Sequence, residues 1–311
     1  MSILFHSVET TSSHLTSTMN SGTVSSDHST SFSGTDSDIQ SASPSEAGFH
    51  RRQFLLTTLV FCTSRAMLDV GLLYAPTALE ESTGNAANAA FFGSTMSSSL
   101  FLSSAIYSVL GFKWAFSLGS VLCFVYVGFL GIAAEMCTSF DPEGACLAAS
   151  ESQLLVALAS SIAGGTGFSV LCLTHGAFLV TSCDRLSSVQ VRPPSLVNEQ
   201  LAGQSVIFHV VLNVLCNGGV FAALAWADAP VASVFELYIF IGIVAVPLWA
   251  VLVGEISVPS HEEVGSQFNT IKAVVSLWHQ PKWWLLQPMV MARGFGMAVF
   301  GGYITRNILV E

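Results

Sequence analysis

The sequence predicts an all-α integral membrane protein, a bundle of helices each long enough to cross a bilayer. Three observations carry this. Of the 311 residues, 51% are hydrophobic and only 10% are charged, where a soluble domain carries roughly 25% charged residues. Mean hydropathy is +0.63. Apolar runs long enough to cross roughly 30 Å of hydrocarbon recur along the chain, whereas strands of alternating polarity, the mark of a membrane barrel, do not. In lipid every backbone amide must bond within its own segment, so these runs are read as helices.

Residues 1–50 differ in kind. They hold no Lys or Arg and are dense in Ser and Thr ("TSSHLTSTMNSGTVSSDHSTSFSGTDSD"). Such a segment buries too little apolar surface to fold alone, which predicts a disordered tail. It lacks the basic and apolar regions of a signal peptide. After Arg51 and Arg52 the spans follow at about 54–79, 89–110, 115–134, 153–181, 203–226 and 233–254. These make a six-helix bundle over 51–254. A linker at 255–283 separates them from a seventh span at about 284–308, within a last segment of 284–311.

Charge sets the expected orientation. With the N-terminus in the cytoplasm, Arg51, Arg52, Lys113, Arg185, Arg192, Lys272 and Lys282 all fall on the cytoplasmic side. The outer loops (80–88, 135–152 and 227–232) hold acids and no Lys or Arg. This is the positive-inside pattern. It makes a seven-helix receptor, whose N-terminus lies outside, the weaker reading. A long cytoplasmic connection after six helices is instead the layout of a six-plus-six transporter, with the seventh helix opening a second half. The net charge of −10 is spread without basic clusters, so no nucleic-acid partner is expected.

Candidate functional residues lie within the spans. Arg65 and Asp69, four apart in "FCTSRAMLDVGLLYAP", share one helix face. A charge at mid-bilayer costs roughly 2.5–3.5 kcal/mol, so such residues face the bundle interior and pair. They either line a substrate or ion path or hold the packing. Arg293 in the last span stands about as far into its helix as Arg65 does, with a threonine twelve positions on in each case (Thr77 and Thr305). This hints at a parallel repeat, in which Asp69 serves Arg65, Arg293 or both. His209, Asn213 and Asn217 recur every four residues as a polar stripe, which glues helices or lines a path. His175 is a further lone polar group, and the two histidines on separate spans do not make a metal site.

"AGGTG" at 163–167 lies inside an apolar span without the strand or lysine of a phosphate loop, and small residues there predict close helix packing. Seven cysteines occur without a CxxC spacing. Cys137 and Cys146 share one outer loop and can pair if that loop faces an oxidising lumen. No catalytic triad, HExxH or paired carboxylates stand out, so neither enzyme chemistry nor a cofactor is expected.

Three stretches carry a resemblance. They are "YSVLGFKWAFSLGSVLCFVYVGFL", with Gly111, Lys113, Trp114, Leu118, Gly119 and Tyr126; "GTGFSVLCLTHGAFLVTSC", with Thr174, Gly176, Phe178 and Leu179; and "LLQPMVMARGFGMAVFGGYITRN". In order and spacing, 54–311 resembles the uncoordinated-93-like (ion-channel regulatory) proteins of the major facilitator superfamily. That family often has Gln where His175 stands. The resemblance implies a twelve-helix facilitator fold, of which this chain holds the first seven helices. It also implies no catalytic residues. The function it implies is either movement of a small solute or ion through a central cavity, or regulation and trafficking of another membrane protein such as a channel or receptor.

Overall fold

The computed structural model describes residues 44–140, 146–190, 192–226 and 231–253, with the single positions Pro281, Trp284 and Pro288. The described chain is almost wholly helical. The helices are α1 (Pro44–Ala78), α2 (Glu81–Phe101), α3 (Ser103–Glu135), α4 (Glu151–Gln190), α5 (Pro194–Trp226) and α6 (Val231–Leu252). Between α3 and α4 lies a hairpin of β1 (Cys137–Phe140) and β2 (Cys146–Ala149). Five of the helices are long and apolar enough to cross a membrane; serine-rich α2 is not among them. The protein is therefore a membrane-embedded helical bundle.

Several boundaries differ from the sequence expectation. α1 begins at Pro44, so 44–50 is helix rather than tail; proline's fixed φ suits a first helical turn. α4 and α5 run past the predicted spans at their adjoining ends, because hydropathy marks the oily part of a helix and not its polar extensions. The second predicted span and the third meet at Gly111. Helical bonding runs through Leu102, whose N–H reaches Ser98 O and whose carbonyl accepts from Ile106 N. The regular path then breaks at Gly111, with φ 71° and ψ 175°, a backbone conformation that glycine alone adopts freely.

The two ends of α1 and α2 show how polar groups are settled. Pro76 sits inside α1 and has no N–H to give the Leu72 carbonyl. Asn88 of α2 supplies the missing donor, its Nδ2 lying 3.0 Å from Leu72 O. Gly84 lets α2 approach there, since a Cβ on it would stand 2.6 Å from Ala75 O. Glu80 caps α2. Its carboxylate accepts from Ser82 Oγ at 2.6 Å and from Thr83 N at 2.9 Å. These bonds, the Ser82 hydroxyl foremost, hold the carboxyl down at about 2.

The interhelical contacts give the direction of each run. α1 and α2 are antiparallel, since Leu72 faces Asn88 and Ala75 faces Gly84. α2 runs parallel to α4 along a ladder of hydroxyls: Ser94 to Ser161 O, Ser98 to Thr166, and Ser99 to Ser169 at 2.7 Å. α3 is antiparallel to α4, with Gly119 against Gly167, Tyr126 over Gly164 and Gln153 Nε2 donating to Ala133 O. α5 runs parallel to α1, and α6 antiparallel to both α1 and α3. Successive runs thus alternate in direction, with Gly111 as the reversal between the second and third. At the end holding Arg51, Lys113 and Arg185, an aromatic cluster closes the bundle. Phe112 packs on Phe178 at 5.0 Å and Phe116 on Trp249 at 4.4 Å, while the Trp249 indole N–H reaches Thr57.

Candidate functional site

The polar groups of the spans converge on α1. Its middle turns carry Arg65 and Asp69 between packed neighbours, Ala66, Met67, Leu68 and Val70 being buried. The two charged residues do not pair with each other: among the described residues no salt bridge joins them. Here the structure differs from the expected i,i+4 ion pair. The order matters, because a helix favours the acid N-terminal to the base at this spacing, and here the base comes first.

Asp69 points to α5. Its Oδ2 accepts from Asn213 Nδ2 at 2.9 Å and lies 3.8 Å from His209 Nε2. Asn217 extends the group by donating to Asn213 O and Oδ1, both at 2.9 Å. The stripe of His209, Asn213 and Asn217 thus faces α1, while Val206, Val210 and Val214 on the same helix are exposed. This is a helix-to-helix joint that also lines the seam between α1 and α5. Polar bonds of this kind hold membrane helices together by about 0.5–2 kcal/mol each.

Arg65 points to α4. Its guanidinium carbon stands 5.5 Å from the centre of the Phe168 ring, within cation–π range. One turn earlier, Phe61 stacks on His175 with centroids 3.9 Å apart. The His175 Nε2 meets Thr58 Oγ1 at 3.4 Å. His175 is therefore engaged in the α1–α4 interface, separate from His209, which is on the α5 side. Arg293 and the seventh span, Trp284 and Pro288 apart, lie outside the described residues.

Sequence reasoning missed Phe168, Phe61 and Thr58, the partners of Arg65 and His175. Apolar and hydroxyl residues are common in any span, and only the helix pairing singles these out. The glycines of "AGGTG" do mediate packing. A Cβ on Gly165 would collide with Ser94 Oγ and Phe91 O, and one on Gly164 would stand 2.6 Å from Tyr126 Cβ. Cys137 and Cys146 are joined by a disulfide across the hairpin. Among the described residues no group of three or more His, Cys, Asp or Glu is placed to hold a metal ion. No family model matches the chain, and comparison with curated proteins and with solved structures yields no match.

Proposed function

We propose that the protein is a transporter-like membrane protein of the major facilitator type, moving a small solute or ion along a central path bordered by α1, α4 and α5. The observation that carries this reading is the placing of opposite charges in the middle of α1. Asp69 is held by Asn213 beside His209 on α5, and Arg65 turns to the α4 side. Charged groups in spans are costly and mark paths for substrates or ions. The alternation of the six runs and the resemblance of 54–311 to the uncoordinated-93-like proteins support the same reading. In it the N-terminus is cytoplasmic, and Arg293 of the seventh helix opens the second half.

Uptake into vesicles reconstituted with the purified protein tests this. Asp69→Asn keeps the size and one acceptor oxygen but removes the charge. It is expected to abolish uptake while the yield of folded protein stays normal. A second reading, a non-transporting regulator or trafficking adaptor, draws on the apolar faces that α5 and α6 leave exposed at Ile207, Val211, Phe240 and Ile243. Unchanged uptake with loss of a co-purifying membrane protein would favour it.

A further inference from the structure

The carrier reading leaves the substrate open, and Arg65 bears on it. Its Nε is shut off from solvent and has no hydrogen-bond partner among the described residues. No salt bridge joins it to Asp69, the nearest acid on its own helix, among the described residues. Among the described residues, the guanidinium has the Phe168 ring on one side, with Cys62, Cys172 and His175 within electrostatic reach. In their neutral forms none of these offers an anion. A guanidinium presents five donors in a planar fork that matches a carboxylate with two parallel bonds. A ring face beside it suits an apolar body attached to that carboxylate.

Charge count narrows the ligand further. The other described basic residues, Arg51, Arg52, Lys113, Arg185 and Arg192, stand at the bundle's end and not at this depth. Among the described residues Arg65 is thus the one Lys or Arg at this depth, which matches a single carboxylate.

We propose that Arg65 receives the carboxylate of a monoanionic organic solute whose apolar part lies against Phe168. This rests on the carrier reading, since it names the substrate class of that same path. Arg65 is the binding group, and Phe168 sets the preference for an apolar body.

Four probes of one shape and different charge test it: benzoate, benzamide, benzylamine and phenyl phosphate. Equilibrium binding of radiolabelled benzoate to the purified full chain is measured, with the others as competitors. Benzoate is expected to bind, benzamide and benzylamine to compete poorly, and phenyl phosphate to compete less well than unlabelled benzoate. Arg65→Gln is expected to weaken benzoate by about tenfold or more, the size of a lost charge-assisted bond. Arg65→Lys keeps the charge and loses the fork, so it is expected to fall between and guards against misfolding of the Gln variant. Equal binding by benzamide, unchanged affinity in Arg65→Gln, or no benzoate binding up to about 10 mM overturns the proposal. Uptake of the same probes separates the two readings. Benzoate bound through Arg65 but never transported keeps the site and removes the carrier. Uptake of benzamide or benzylamine untouched by Arg65→Gln keeps the carrier and removes the site.

Discussion

At the scale of single residues, the chain shows how a membrane helix settles the groups that lipid cannot. Pro76 frees the Leu72 carbonyl, and Asn88 answers it from the next helix. An unpaired buried carbonyl costs about 1–3 kcal/mol. Asn88→Ala is therefore expected to destabilise the purified protein by about that amount, measured as a loss in thermal or chemical unfolding in detergent. Pro76→Ala restores an N–H that reaches Leu72 O within α1, so the same Asn88→Ala change is expected to cost much less in that background. Equal costs in both backgrounds would mean that the bond does not matter. This pairing was not legible in the sequence, since a proline and an asparagine twelve residues apart announce nothing until two helices are seen to be antiparallel. The same limit applied at Arg65 and Asp69. Their shared helix face was legible, but their turning to different neighbours, Phe168 and Asn213, depends on helices distant in sequence.

At the scale of the element, hydropathy and small residues said more. The apolar runs located the five membrane-length helices, whereas α2 opens at Glu81 inside the expected outer loop 80–88 and is not apolar enough to cross a membrane, and Gly111 stands where two predicted spans meet. The hairpin β1–β2 was not foreseen, because strands of four residues are too short to show a period. Glycine placement in α4 separates packing from mere presence. Gly165 lies under Phe91 O and Ser94 Oγ of α2, whereas a Cβ on Gly176 would meet nothing within 4 Å among the described residues. Alanine is better than glycine in a helix by about 1 kcal/mol when nothing else intervenes. Gly176→Ala is thus expected to be neutral or stabilising. Gly165→Ala pushes α2 away, stretches the hydroxyl ladder from Ser94 to Ser169, and is expected to cost about 1–3 kcal/mol, as overpacked sites do. Unfolding of the two variants side by side checks this. A Gly165→Ala protein as stable as Gly176→Ala would show that α2 and α4 are not held at that distance.

At the scale of the whole molecule, alternation of the runs turns a compositional bias into geometry. The start of α1, the Gly111 turn and the α4–α5 junction share one end, so Arg51, Arg52, Lys113, Arg185 and Arg192 gather there. Glu80, Glu81, Glu135 and Glu151 gather at the other, beside the disulfide of Cys137 and Cys146. This segregation was legible from the sequence because it needs only the order of spans and loops, not their packing. Trp114, 69% exposed beside Lys113, is the kind of aromatic that sits at a membrane–water interface. Basic loops stay cytoplasmic and disulfides persist in oxidising compartments, so both ends imply one orientation. A labelling experiment decides it. The other described cysteines are buried or half-buried in the bundle, which leaves single introduced thiols as the reactive ones. Glu151→Cys, exposed at the start of α4, is expected to react with a membrane-impermeant maleimide applied to the outer or luminal side of sealed membranes. Arg192→Cys, exposed between α4 and α5, is expected to react only after the membranes are opened. The reverse pattern would turn the molecule over. It would place the basic end outside and the disulfide in a reducing compartment, and it would bring back the seven-helix receptor that the charges argue against.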